Sequence, residues 1–478
     1  MVKHLLNYLP GRLIPALVNF ILIIFYARVL SESEYGKYAL LLATSSFLST
    51  FGYTWIKMYV QRYYQSFSIK NNLSYIINTI KTNYIIVSLI ILITMLLIGI
   101  FIKSLYAVNW LLILLIIFLT LVTPILEVIL IIYRARLKSN IYSSILISKS
   151  ILNLAFAVIF VYFFKMGIVG VFLSLIIAHL LVITKVFLVE DKKYLVVSKN
   201  TFIYNREFLA YGTPFIFTFL LNFFITLSDR FFIGYFEGAD AVGVFSVAND
   251  IASQSLIMLF MLANLAAYPL IVKEIELKRL DKVIEKTKQY ATISMSVAIP
   301  ATLGFIMLAP ELSSIIVKNK YGESFVLILQ ITALSTFILG LKLYFSDISF
   351  QLGKNSKMQV YPNIIGSILN IILNFIFIPF YGVIGALISS LITYTTILII
   401  SIILGRRIFK LHVNWLDLLK VTFAASLMAL VLSFISYQGN DLILLLIKLL
   451  VGLLVYIVVY FILNILNIRS LLLNKFNK

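Results

Sequence analysis

The sequence predicts an all-α polytopic membrane protein of about fourteen transmembrane helices. Three observations carry this: apolar runs of membrane-crossing length fill nearly the whole chain, charge is scarce, and basic residues gather in alternate gaps. A helix needs roughly 20 apolar residues to cross a hydrocarbon core of about 30 Å. Such runs occur near 10–30, 36–58, 83–103, 108–133, 141–164, 168–189, 208–235, 241–269, 289–310, 324–347, 359–379, 383–405, 415–437 and 442–466. Backbone polar groups find no water in lipid, so these runs must close their hydrogen bonds internally as helices. Hydrophobic residues are 62% of the chain and charged residues 12%, about half the charged share of a soluble protein.

The gaps fix an orientation. Those after even-numbered spans hold Arg62, Lys70 and Lys81; Arg134, Arg136 and Lys138; Lys192, Lys193, Lys199 and Arg206; six cations between Lys273 and Lys288; Lys354 and Lys357; Arg406, Arg407 and Lys410; and Arg469, Lys475 and Lys478. Gaps after odd-numbered spans are short and nearly bare of positive charge, holding Glu32 and Glu34, Lys103, Lys165, Glu237 and Asp240, Lys318 and Lys320, and Asp441. The positive-inside rule then puts the even gaps and both termini in the cytoplasm, with the chain in a bacterial inner membrane. The first run leads into the second without a small-residue cleavage site and is expected to remain as a helix.

Other classes are excluded. The formal charge of +20 is dispersed over membrane loops, with no compact basic domain to dock nucleic acid, and reads instead as topology plus attraction to anionic lipid. Cysteine is absent, and His4, His179 and His412 are too scattered for a metal site. No phosphate-cradling glycine loop is present, so neither ATP hydrolysis nor a cofactor is expected, and the chain does not read as an enzyme. The stretch 272–288 carries Val272, Ile275, Leu280, Val283 and Ile284 near helical spacing. It is expected to form an amphipathic helix on the inner leaflet, more plausibly a linker than a functional element.

The halves echo each other. Ser150-Ile-Leu-Asn153, Gly167-Ile-Val-Gly170 and Ser174 correspond to Ser367-Ile-Leu-Asn370, Gly382-Val-Ile-Gly385 and Ser389. Tyr35-Gly36-Lys37-Tyr38-Ala39 corresponds to Val242-Gly243-Val244-Phe245-Ser246. An offset of six spans keeps both copies the same way up, giving two pseudo-symmetric six-helix lobes, as in secondary transporters. The expected organisation is a lobe over 1–190, a cytoplasmic linker over 191–207, a second lobe over 208–410, and two extra helices with a tail over 411–478.

Certain segments resemble a known family. Tyr26-Ala-Arg28-Val-Leu30 with Glu34-Tyr-Gly-Lys-Tyr-Ala-Leu40 is similar to the helix 1–2 corner of polysaccharide-exporting flippases. Tyr211-Gly-Thr-Pro214 through Ser228-Asp229-Arg230, Gly234, Gly238 and Gly243 resembles their helix 7–8 region. Asn370 through Ala386 resembles helices 11–12. On these residues the chain is identified as a member of the polysaccharide transporter family, within the multidrug/oligosaccharidyl-lipid/polysaccharide flippase superfamily. The resemblance implies alternating access and movement of an undecaprenyl-diphosphate-linked oligosaccharide to the outer leaflet, for O-antigen or capsule. It also implies partnership with a polymerase and other polysaccharide-assembly proteins.

Moving a diphosphate through hydrocarbon requires cations, and the arginine fork suits phosphate oxygens. Arg12 and Arg28, at opposite ends of the first span, and Arg230, in the seventh, are candidate diphosphate ligands; Asn19 and Asn222 are candidate sugar contacts. Each has a plainer reading as a snorkelling or helix-bonding residue. Asp229 and Asp250 are candidate coupling or gating groups, Asp250 alternatively pairing with Lys37 or Arg230. Lys57 reads as a snorkelling end residue, His179 as a core histidine, Glu127 and Lys149 as a pair across one hairpin, and Lys342 with Asp347 as another pair. Pro15 and Pro214 each fall in the first helix of a lobe, where a bend would serve gate motion. Rival readings are a cation-coupled drug exporter of the same superfamily, a membrane glycan polymerase or ligase (disfavoured by the short outer gaps), and a passive scaffold.

Overall fold

The computed structural model describes residues 10–69, 73–106, 108–190, 206–318, 320–322, 324–436 and 439–469, all helix or short connection. Residues 191–205 of the predicted linker, with Lys192, Lys193 and Lys199, lie outside the described residues, as do His4, Lys70, Lys475 and Lys478. The chain divides into two compact units, Met1–Ser246 and Val247–Lys478.

In the first unit the predicted spans appear in order. They are α1 (Pro10–Val29), α2 (Glu32–Ile69), α3 (Leu73–Tyr106), α4 (Trp110–Ala135), α5 (Ser139–Ala157, extended by π-helical turns Val158–Phe163), and α6 (Gly167–Lys185, extended by Val186–Glu190). The seventh is broken: α7 (Arg206–Thr226) ends at Leu227, and α8 (Ser228–Phe236) continues after a 46° bend. The helix α9 (Gly238–Glu276) begins in this unit and continues into the second.

Helix α2 is the spine of the first unit, packing on α3, α4 and α7. Its buried Tyr53, Trp55, Tyr59 and Tyr64 form an aromatic ridge continuous with Ile113, Ile116 and Ile117 of α4. Tyr53 stacks on Tyr84 of α3 at 5.2 Å, and Phe47 meets Phe223 of α7 at 5.0 Å. Gly212 lets the α7 backbone close onto Trp55, since a Cβ there would lie 2.3 Å from the Trp55 Cβ. Small residues at such crossings are how membrane helices approach closely when the surrounding lipid is as apolar as their own side chains.

The second unit holds the rest of α9, then α10 (Leu280–Met307), α11 (Ala309–Val317), α12 (Ser324–Leu341, with π-helical Lys342–Ser346), α13 (Ile348–Leu352), α14 (Val360–Ile408), α15 (Trp415–Phe434) and α16 (Asp441–Ile462). Continuous over 49 residues, α14 would be about 74 Å long at 1.5 Å per residue, more than twice a hydrocarbon core. It is two spans, broken where Gly382 takes φ 54°, ψ −133°. Among the described residues twelve helices are long and apolar enough to cross a membrane; the bent α7–α8 pair adds one and the division of α14 another, which agrees with about fourteen.

The duplication is visible inside each unit. Gly167 and Gly382 both have φ +54°, a left-handed conformation that favours glycine. Three residues on, a Cβ at Gly170 would touch the Phe160 backbone at 3.1 Å, and one at Gly385 the Phe377 carbonyl oxygen at 2.3 Å. Asn153 accepts from the Ser174 hydroxyl at 3.0 Å, while their counterparts Asn370 and Ser389 are both fully buried. Before the corner the copies are 217 positions apart and after it 215, so the second copy reaches its corner glycine, Gly382, two residues sooner than the first reaches Gly167.

One expectation fails. No separate amphipathic helix spans 272–288: α9 runs on through Glu276, the chain turns over Leu277–Arg279 with Lys278 at φ 55°, and α10 starts at Leu280. The apolar spacing belonged to the ends of two membrane helices. In the other direction, α11 begins at the end of the predicted span 289–310 and fills much of the short gap after it.

Candidate functional site

The first unit carries all of the predicted ligand groups. Along α1 the buried positions Gly11, Val18, Leu22 and Tyr26 form one stripe, packed on α5, with Gly11 seated directly against Ser143. Arg12 and Asn19 lie beside that stripe, both exposed and seven residues apart, so they share a face. Arg28 is also exposed but falls about 160° further round, at the other end of the helix. Neither arginine is isolated, each being engaged by a neighbouring group.

On α7, Tyr211, Phe215, Thr218, Asn222 and Thr226 recur at intervals of three and four and so form one polar-aromatic stripe. Asn222, like Asn19, is exposed, and among the described residues neither amide makes a hydrogen bond. Phe223, by contrast, is buried against α2.

Asp229 and Arg230 are in a different setting. They open α8 at 2% and 7% exposure, just past the bend. The Ser228 hydroxyl donates back to the Phe224 carbonyl at 2.6 Å, a bond that competes with the helical ladder and accompanies the break. Asp229 occupies the first turn of α8, where unsatisfied N–H groups and the helix dipole favour an anion. Both side chains are engaged. Asp250, half-buried on α9 and also engaged, belongs to the second unit.

The charged pairs differ in part from expectation. Glu127 closes its ion pair with Lys57 at 2.8 Å, across α4 and α2, and not with Lys149, which lies only near enough to feel its charge. Lys57 therefore pairs and does not snorkel. Lys342 and Asp347 do pair, at 2.8 Å, with both side chains almost fully buried. They are five residues apart, a spacing that an α-helix would splay; the π-turn bonds the Asp347 N–H to the Lys342 carbonyl at 2.9 Å and brings them together. Asn363 accepts from Lys342 at 2.7 Å and Gln359 donates to Asp347 at 2.9 Å. His179 is buried, its Nδ1 bonded to the Leu175 carbonyl at 2.7 Å. A further buried pair, Glu311 of α11 with Lys448 of α16, escaped the sequence reading. A lone lysine inside the apolar run 442–466 was the signal for it, because an intramembrane charge normally has a partner.

Among the described residues no group of three or more His, Cys, Asp or Glu could hold a metal. Among the described residues of the first unit, two apolar cavities each include one lysine. One of about 250 Å³ lies between α2, α3 and α8 and includes Lys37, Tyr106 and Phe231. The other, of about 210 Å³, lies between α3, α4 and the end of α6 and includes Lys81.

The family described as polysaccharide biosynthesis protein matches residues 2–275, more than half the chain. The chain belongs to the polysaccharide biosynthesis protein family. The MatE family matches residues 214–376. Among solved structures, the fold is similar to the lipid II flippase MurJ in an inward closed conformation, with TM-score 0.72 and 17% identity over 97% of this chain and 98% of that one. It is also similar to a multidrug resistance MATE family transporter in an inward-facing conformation, with TM-score 0.65 and 18% identity over 82% of this chain and 94% of that one. An uncharacterized membrane protein of Methanocaldococcus jannaschii is 27% identical over 207 residues, 43% of this chain, and the match spans about half (48%) of that relative's length. This family member is thus a multi-pass membrane protein with the fold of flippases and transporters in the multidrug/oligosaccharidyl-lipid/polysaccharide superfamily.

Proposed function

We propose that the protein is a flippase that moves an undecaprenyl-diphosphate-linked oligosaccharide from the cytoplasmic to the outer leaflet by alternating access. One observation carries this reading: the likeness to the lipid II flippase runs over 97% of the chain, α15 and α16 included, whereas that to the inward-facing MATE transporter covers 82%. In this reading the exposed Arg12 and Arg28 serve the diphosphate at the two ends of α1, and the exposed amides of Asn19 and Asn222 serve the glycan. The buried Asp229 and Arg230 hold the α7–α8 bend.

The test uses proteoliposomes with a fluorescent undecaprenyl-diphosphate oligosaccharide and a reagent that quenches only the outer leaflet. Wild type should expose the label, and Arg12→Ala and Arg28→Ala should slow the exposure at least tenfold while inserting normally. Flipping at the wild-type rate by both variants would remove these arginines from the mechanism. The second reading, a cation-coupled exporter, is favoured by the MatE match over 214–376. It predicts that the vesicles expel cationic dyes, that Asp250→Asn abolishes this, and that the lipid-linked glycan is not moved.

A further inference from the structure

The cavity between α3, α4 and the end of α6 has no place in the transport path argued above. Ile77 and Ile80 of α3, Ile129 and Ile132 of α4, and Phe187 give it apolar walls, and Lys81 is its single charged group. Two residues past Lys81 begins the apolar run 83–103, so the ammonium stands at the border between hydrocarbon and head groups. From there Ile85, Leu89 and Ile93 form an exposed apolar row up α3, at intervals of four residues.

The two walls formed by α3 and α4 offer no free acid, while the third element, the end of α6, closes on Glu190 three residues past Phe187. Helix α3 contains no acidic residue, and the only acid of α4, Glu127, is taken by Lys57. Among the described residues no carboxylate pairs with Lys81. Just past the cavity wall, Arg134 donates to the neutral Tyr142 hydroxyl at 2.9 Å, and Arg136 donates to that of Tyr64 at 2.7 Å. Lys138 follows in the same corner. An apolar slot opening on a cluster of cations fits an amphiphile with an anionic head.

We propose that this cavity binds one anionic glycerophospholipid of the leaflet facing the basic loops, with its phosphate on Lys81 and one acyl chain in the slot. Taking a methylene as water-sized, about 30 Å³, a volume of about 210 Å³ holds roughly seven chain carbons. The remainder of the chain lies along Ile85 and Leu89. The site is independent of the cargo and would tie the first unit to acidic lipid.

The experiment reconstitutes the full chain in vesicles doped with phosphatidylglycerol bearing a diazirine in one acyl chain, and in parallel with phosphatidylcholine bearing the same chain. After illumination the labelled peptides are mapped by mass spectrometry. Peptides covering 77–84 and 125–133 should take the anionic probe about fivefold over the zwitterionic one, the factor a lysine near an acidic surface confers. Lys81→Gln should remove that preference, and Ile129→Trp, which fills the slot, should lower labelling by both probes. Lys81→Gln removes the charge of a part-exposed side chain without adding bulk, so it keeps the test valid where the tryptophan disturbs folding. Equal labelling by both probes in wild type, or an unchanged preference in Lys81→Gln, would overturn the proposal. So would stronger competition by unlabelled undecaprenyl phosphate than by unlabelled phosphatidylglycerol, which would assign the slot to a polyprenyl chain.

Discussion

Replacing Asp347 by Ala should strike the second unit at its most exacting point. Lys342, 2% exposed, is held by the Asp347 carboxylate at 2.8 Å and by Asn363 at 2.7 Å. Removing the carboxylate leaves a buried ammonium held by the neutral amide of Asn363, and strands the Gln359 donor. Breaking a buried pair from one side costs about 3–5 kcal/mol, or on the order of 10 °C in melting temperature for a unit this size. The assay is thermal unfolding of the detergent-solubilised protein, followed by loss of the monodisperse gel-filtration peak. The double variant Lys342→Met/Asp347→Leu removes both charges and should recover most of the loss, because an apolar pair of similar volume is often as stable as the ion pair it replaces. A double variant no more stable than Asp347→Ala would refute the reasoning, showing that the π-turn itself depends on the ionic contact. An unchanged melting temperature in Asp347→Ala would show that Lys342 is not held in isolation from water.

Gly36→Ala should destabilise markedly, by about 1–3 kcal/mol or more, because the new methyl would sit 1.7 Å from the Ala239 carbonyl oxygen, a backbone atom with little room to yield. Gly304→Ala meets only the tip of Met428, at 3.7 Å, and should be neutral or slightly stabilising in the same melting assay. Around His412, in the connection between α14 and α15, burial, reinforced by Lys410 and Lys288, holds the imidazole below its usual value of 6.5. The fold therefore binds that proton less readily than the unfolded chain, so stability is full above about pH 6.5 and declines as pH falls through it. A His412→Gln variant should show a flatter pH–melting profile over that range, and an identical profile would count against the histidine.

What could be read from sequence, and what could not, follows the range of the interactions. The spans and the pairing of Lys342 with Asp347 are local consequences of apolar length and of charges a few residues apart. The partner of Glu127 is not local. Lys149 and Lys57 are equally reasonable candidates in one dimension, and only the packing of α2 on α4 selects Lys57. The same holds for Glu311 and Lys448, 137 positions apart. The apparent amphipathic helix failed for a related reason: with no glycine or proline at 277–279 to mark the turn, two helix ends read as one periodic segment. For the candidate site, the residue types were legible but their setting was not. Arg230 and Arg28 look alike in sequence, yet one is buried at a helix break and the other exposed at a helix end.

The duplication was legible for a stronger physical reason than similarity of letters. The second echo places Gly36 opposite Ala239, and Gly243 opposite Glu32, each glycine losing its Cβ to let the other strand of the crossing approach. Glu32 and Ala239 are separated by 207 positions, and so are Gly36 and Gly243, so each close contact is the image of the other. A crossing of that kind needs glycine on both helices, four residues after the partner carbonyl, whatever the surrounding side chains are. The same logic applies at the corner glycines Gly167 and Gly382, whose left-handed conformation tolerates little else. Positions under backbone constraint keep their residue type in both copies, while lipid-facing positions need only stay apolar. The short echoes in an otherwise featureless apolar sequence thus mark the points where one backbone touches or turns against another.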